Sequence, residues 1–204
     1  MNYLETLKLF TEFTSNIPNS SSDSIRNEAI VESIKDWSQI ESIETIEEWF
    51  LEHQKNCQMS TEDIPFLDCV HWFYDKEKGI ISHDSGEFFY IQGVRVKNTV
   101  NREVSQGWDQ PILTQVRKNG GLLGLLRKKI NSIPHYLVEA KAEPGNPDKV
   151  QISPTLQATF SNLNQAHGGN KPKFSEFFVT PETVNGKVLF NQWMSEDGGR
   201  FYLK

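Results

Sequence analysis

The chain has 204 residues, 37% of them hydrophobic and 24% charged, with a net charge of −6 and a pI near 5.4. That length suits one sizeable domain, or a domain with an appendage, and no apolar run approaches the roughly 20 residues needed to cross a bilayer. The acidic balance argues against an extended nucleic-acid footprint, which needs clustered positive charge to release counterions from phosphate.

The opening residues Met1-Asn2-Tyr3-Leu4-Glu5-Thr6 lack the basic, apolar and small-residue regions of a secretory signal, so a cytoplasmic location is expected. Leu4, Leu7, Phe10 and Phe13 follow at helical spacing, until Ile17-Pro18-Asn19 and the serine run 20–22 interrupt them. Ala29, Ile30, Ile34, Trp37 and Ile40 predict a second amphipathic helix over 25–40. A third is predicted ahead of Trp49, Phe50 and Leu51, with Thr45 as cap and Glu48 returning the hydrogen bond. Cys57 and Cys69 form no C-x-x-C pair and are read as reduced structural residues.

Beyond about residue 60 the composition shifts to aromatic and β-branched residues punctuated by glycine, the pattern of strands and turns. Residues 79–83 and 87–91, on either side of Asp84-Ser85-Gly86, predict a hairpin. A strand follows at 111–116, then a turn at Gly120-Gly121 and a piece at 122–130 whose pattern fits helix or strand equally. The last strands are 136–142 and 150–160, joined by the turn-forming loop 143–148. The division expected is a helical extension over 1–58 and a core of mixed β-sheet with helices over 59–204, an α+β protein.

Two faces carry the candidate chemistry. If 150–161 is one strand, Gln151, Ser153, Thr155, Gln157, Thr159 and Ser161 share a face of neutral amides and hydroxyls, groups that donate and accept hydrogen bonds and suit a sugar. The plain alternative is a solvated face set by β-propensity. Pro154 cannot donate to a ladder, which places it at an edge or a bulge. In the preceding strand His135, Leu137, Glu139, Lys141 and Glu143 share a face, a row of titratable groups fit for acid–base work or for a simple ion-pair ladder. His83 ends its strand before a turn, either aimed into a cleft or stabilising that turn. Several cations, Arg95, Lys97, Arg102, Arg117, Arg127, Lys128, Lys129 and Arg200, are candidates for a diphosphate. His167 lies in a loop beside Gly168-Gly169. There is no i, i+4 histidine pair and no dinucleotide, P-loop or nucleophile-elbow motif, so metal dependence is not expected.

Ile80-Ile81-Ser82-His83-Asp84-Ser85-Gly86 with Phe88-Phe89, Trp108-Asp109-Gln110-Pro111-Ile112 with Gln115, Gly121-Leu122-Leu123-Gly124 and Ala140-Lys141-Ala142-Glu143-Pro144-Gly145-Asn146 together resemble the nucleotide-hexose 2,3-dehydratases. Gln151-Ile152-Ser153-Pro154-Thr155-Leu156-Gln157-Ala158-Thr159 with Ser161-Asn162 is similar to that family's Q-L-S-P-T-x-Q-A-T-x-S-N run. The resemblance implies a Nudix-like fold and a lyase without a cofactor. It would remove water across C2–C3 of a nucleotide-linked 4-keto-6-deoxyhexose, giving a 3,4-diketo-2,6-dideoxyhexose. It further implies Glu143 as base, Lys141 or His83 as acid or enolate stabiliser, and Gln110, Gln115, Asn146, Gln151, Ser153, Thr155, Gln157, Thr159, Asn162 and Arg200 as substrate holders. Members of the family carry this unit in tandem, so a homodimer is expected to replace the pair. The basic stretch that usually follows the C-terminal aromatic residues is not present after Lys204.

Two rival readings are a non-catalytic sugar-nucleotide-binding or assembly module, and a Nudix-type pyrophosphohydrolase. The latter rests on Glu44-Thr45-Ile46-Glu47-Glu48, but Ile43, Lys35, Ala29 and Phe50 stand where the remaining box residues belong.

Overall fold

The computed structural model describes residues 1–17, 24–38, 40–98, 100, 105–116, 120–165 and 168–204. The serine run 20–22, Arg102, Arg117 and His167 lie outside them. Helices and antiparallel sheets are both present, an α+β architecture, and the chain divides into two compact units.

The first unit gathers residues 1–61, 124–155 and 181–189. Its helix α1 (Tyr3–Ser15) opens on a reciprocal cap: the Asn2 side chain accepts from the Glu5 amide at 2.9 Å, and the Glu5 carboxylate accepts from the Asn2 amide at 3.1 Å. Helix α2 (Ser24–Glu32) ends well short of the expected residue 40. The chain turns instead, and the Trp37 indole donates to the Val31 carbonyl at 2.8 Å while meeting Tyr3 edge-on at 5.6 Å. Trp37 thus serves the helix end and the core at once. Helix α3 (Ile43–Asn56) begins earlier than expected, because Ser42 rather than Thr45 is the cap and accepts from the Thr45 amide at 3.3 Å. Three antiparallel strands, β6 (Leu126–Ile130), β7 (Ile133–Ala142) and β8 (Val150–Pro154), form a sheet in that order. The segment after residue 125 is therefore strand, not helix. Tyr3, Val31 and Ile133 form the buried cluster, flanked by Leu7, Phe10 and Trp37.

Tyr3 is 3% exposed, and its hydroxyl has no hydrogen-bond partner among the described residues. Burial, with the Glu32 and Glu28 carboxylates nearby, pushes its ionisation up to about 12. A phenol whose folded pKa is raised contributes stability that is complete below its ordinary value of 10 and is lost as pH climbs from there through 12. Tyr3→Phe removes an unpaired polar atom, so it is expected to raise stability by about 1 kcal/mol at neutral pH and to flatten the alkaline loss. Urea unfolding across that range checks both effects. A variant destabilised at neutral pH would show that the hydroxyl is satisfied.

The second unit gathers residues 62–123, 156–180 and 190–204. Strands β1 (Trp72–Asp75), β2 (Ile80–His83), β3 (Phe89–Val96) and β4 (Trp108–Gln115) form an antiparallel meander, with the expected hairpin at its centre. The β3–β4 turn needs Gly107: its φ is +79°, and a Cβ there would lie 2.3 Å from the Val96 carbonyl oxygen. Residues 200–202 cover the outer edge of β4, where the Leu113 amide donates to the Arg200 carbonyl and the Tyr202 amide to the Leu113 carbonyl, both at 2.9 Å. Strand β5 (Gly121–Gly124) pairs with β9 (Leu156–Thr159) in a two-stranded sheet, and the short helices α4 (Phe160–Leu163) and α5 (Glu176–Val179) complete the elements.

The expected single strand 150–160 is broken. β8 ends at Pro154, the chain bends at Thr155, and β9 gives way to α4 at Phe160. The two-face alternation fails accordingly: Ile152 is 48% exposed, whereas Ser153 and Thr155 are each 6% exposed. The bend has a hydrogen-bonding cause. Thr155 Oγ1 accepts from the Leu126 amide at 2.9 Å and donates to the Leu137 carbonyl, tying the bend to β6 and β7.

Candidate active site

In the first unit the acid–base row takes shape at the end of β7. Lys141 Nζ lies 3.3 Å from Glu143 Oε1, with side chains 22% and 39% exposed. The pair is partly desolvated yet reachable from solvent. The loop after it is held by its own polar groups: the Glu143 amide donates to Lys149, the Asn146 amide to Glu143, and Asn146 Nδ2 to the Lys141 carbonyl at 3.2 Å. Asp148 and Lys149 both adopt positive φ to close it. Gln151 Nε2 donates to the Pro147 carbonyl at 2.9 Å, so this amide fastens the loop from the facing strand. Opposite residues of an antiparallel pair share a face. The register Lys141↔Gln151 and Glu139↔Ser153 therefore sets one neutral polar residue against each charged one.

The other face of this sheet holds a feature that strand patterning did not disclose. Ala140, Ala142 and Val150 line a groove of about 410 Å³ with Glu52, His53, Asn56 and Cys57 of α3. His53 Nδ1 lies 2.8 Å from the Trp49 carbonyl, which can only accept, so that nitrogen carries the proton.

In the second unit His83 closes β2, its side chain 17% exposed, with the Phe88 ring at 4.6 Å and the Trp72 ring at 5.4 Å, both edge-on. Two residues that sequence spacing left unmarked join it. His71 Nδ1 lies 2.7 Å from Asp84 Oδ2, and His83 Nδ1 is 3.2 Å from Asp84 Oδ1. The His71 hydrogen bond, helped by the charge of both imidazoles, holds the Asp84 carboxyl below the usual range. His71 directly precedes Trp72, the cross-strand partner of His83, a register that no sequence period discloses.

The remaining candidates of this unit are spread along it. Gln110 bridges Trp108 Nε1 and the Gly199 carbonyl, both at 2.6 Å. Gln115 is 7% exposed, and its Oε1 has no partner among the described residues. Thr159 caps α4, accepting from the Asn162 amide at 3.3 Å, and its hydroxyl meets that of Ser161 at 2.8 Å. Gln157 and Asn162 are exposed, and Arg200 lies 3.5 Å from Asp197 with its side chain 83% exposed. Among the described residues no group of three or more His, Cys, Asp or Glu is arranged to hold a metal ion, and no helix is long and apolar enough to cross a membrane.

These features define an α+β protein with a Lys141–Glu143 pair in its first unit and a His71–Asp84–His83 cluster in its second. The chain belongs to the NDP-hexose 2,3-dehydratase family, whose model matches residues 43–204. It is 36% identical over 167 residues to the dTDP-4-dehydro-6-deoxy-alpha-D-glucopyranose 2,3-dehydratase of Amycolatopsis orientalis, covering 79% of this chain and 34% of that protein. It is 37% identical over 158 residues to the protein of the same name from Streptomyces violaceoruber, covering 76% and 34%. The Saccharopolyspora spinosa protein of that name is 36% identical over 156 residues, covering 76% and 31%. The chain thus spans about a third of the length of the curated relatives it matches.

Proposed function

We propose that the chain removes water across C2–C3 of a nucleotide-linked 4-keto-6-deoxyhexose, a step toward 2,6-dideoxy sugars. The observation that carries this reading is the family match across 43–204, within which Lys141 and Glu143 are paired. The C4 ketone acidifies the C3 hydrogen; Glu143 takes that proton, and Lys141 steadies the enolate oxygen or assists the departing C2 hydroxyl. His83 is the alternative to Lys141 in that role. The elimination is redox-neutral and calls on no electron carrier.

Gln110, Gln115, Asn146, Gln151, Ser153, Thr155, Gln157, Thr159, Asn162 and Arg200 are proposed to serve the substrate. Gln115 is the best supported of them for direct contact, because its buried amide oxygen has no partner among the described residues, a costly state unless a ligand supplies one. Thr155 and Asn146 act in this reading through the backbone groups they hold. A Nudix-like core over 59–204 after a helical extension over 1–58 is the proposed organisation; residues 1–42 of that extension fall outside the family match and 43–58 fall within it. A cytoplasmic homodimer is the proposed state, in which a second copy takes the place of the tandem unit that members of the family carry. Incubation with dTDP-4-dehydro-6-deoxyglucose, followed by mass spectrometry, is expected to show loss of one water. Tight binding with no mass change would instead favour a binding module.

A further inference from the structure

The Lys141–Glu143 pair stands where a tight loop leaves β7, and that loop is strained. Asp148 and Lys149 follow one another at φ +52° and +68°, left-handed conformations that a residue with a Cβ adopts at a cost. Such conformations persist only where their surroundings over-determine them, and they gather at functional sites. Lys149 is also the backbone partner of Glu143. Its carbonyl accepts from the Glu143 amide at 3.0 Å, and its own amide donates to the Asn146 carbonyl at 3.1 Å. Relaxation at Lys149 would therefore carry Glu143 with it.

Two side-chain amides oppose that relaxation. Asn146 Nδ2 donates to the Lys141 carbonyl at 3.2 Å, which ties the loop to the residue that pairs with Glu143. Gln151 Nε2 donates to the Pro147 carbonyl at 2.9 Å, immediately ahead of the two left-handed residues. Gln151 reaches from a fixed point: it is the register partner of Lys141, and Val150 beside it is 3% exposed. All of these groups lie in the first unit.

We propose that Gln151 is a positioning residue for the base. It latches the loop at Pro147, keeps Asp148 and Lys149 left-handed, and so holds the Glu143 carboxylate against Lys141. Asn146 serves the same end from inside the loop. Gln151 then acts through Glu143 and not by touching the sugar. Misplacing a reacting group by about 1 Å costs on the order of 10²-fold in rate, so one hydrogen bond outside the chemistry carries a large effect.

This inference rests on the dehydration reading, and two readouts keep their failures apart. Gln151→Met keeps the length of the side chain and removes the donor. Its kcat for water loss from dTDP-4-dehydro-6-deoxyglucose is expected to fall about 10²-fold, with KM within about twofold of the unaltered chain. Hydrogen exchange at the Glu143 and Lys149 amides is expected to quicken by about tenfold or more while the β6 and β7 amides keep their protection. Adding Lys149→Asn, which accepts the left-handed conformation more readily, is expected to restore part of kcat. A side chain that gripped the sugar could not be rescued from the loop. No water loss by the unaltered chain sinks the dehydration reading and this one with it. Water loss by the unaltered chain with a raised KM and unchanged kcat in Gln151→Met makes Gln151 a substrate holder and overturns this inference alone. So do full turnover by Gln151→Met, unaltered exchange at Glu143, protection lost across β6 and β7, or no rescue by Lys149→Asn.

Discussion

Glu143→Gln is expected to lower turnover by about 10²–10⁴-fold, the usual contribution of a positioned general base. The amide keeps the shape of the carboxylate but cannot take a proton at neutral pH. Its ion pair with Lys141 is partly exposed, and pairs in such settings contribute only about 0–1 kcal/mol. Stability should therefore change little while turnover collapses. That contrast matters, because a variant that lost activity by unfolding would say nothing about chemistry. Steady-state rates and thermal unfolding on the same sample check it, and full turnover by the variant would remove the base assignment.

Arg127→Met is expected to cost about 3 kcal/mol of stability, because it takes the guanidinium from two part-buried carboxylates, leaving Glu28 to Lys129 and Glu32 to the Tyr136 hydroxyl. Arg127 Nη2 donates to Glu28 at 2.5 Å and to Glu32 at 2.6 Å; the three side chains are only 13–14% exposed. Lys129 adds a bond to Glu28 at 2.7 Å, and the Tyr136 hydroxyl donates to Glu32. Burial works to raise the Glu28 carboxyl, but the hydrogen bonds and charges of Lys129 and Arg127 outweigh it and hold it below its ordinary 4.5. A depressed carboxyl contributes stability that is complete above its ordinary value and is lost as pH falls through the folded one. The cost of Arg127→Met should thus be fully present above that range and shrink as pH falls through it, because the carboxylates left behind take up protons. Replacing all three residues together, as Arg127→Met, Glu28→Leu and Glu32→Leu, is expected to recover most of the loss, since no charge is then buried alone. Urea titration decides: a single-variant cost below about 1 kcal/mol would mean that water already solvates these carboxylates.

This network also shows what the sequence could not disclose. Glu28 and Glu32 share a helix face with each other, which is legible from i, i+4 spacing. Their cation lies 95 residues or more further on, on a strand, and no local period connects them. Arg127 therefore read only as one of several cations that could serve a diphosphate. It is instead, with Lys129, a link between α2, which precedes the family match, and β6 within it.

Where local patterning sufficed, the expectations held. The Ile80–His83 and Phe89–Val96 strands follow from β-branched and aromatic runs around a turn, and the α1 periodicity gives Tyr3–Ser15. Lys141 and Glu143 fall on one face because a strand alternates sides, and their contact follows. The polar row beyond residue 150 misled because strand alternation was carried through Thr155, whose hydroxyl holds a bend by bonding to two distant backbone groups. The His71–Asp84 contact was hidden for a similar reason. It depends on the β1–β2 register and on a left-handed His71, and neither leaves a periodic trace.

The central claim is that a proton leaves C3 as the hydroxyl leaves C2. Substrate deuterated at C3 puts it to the most direct test, with the product mass read after turnover in ordinary water. The account predicts a product that has lost one water and the C3 deuterium together. A dehydrated product that keeps its C3 deuterium, or a substrate recovered without loss of water, would contradict it.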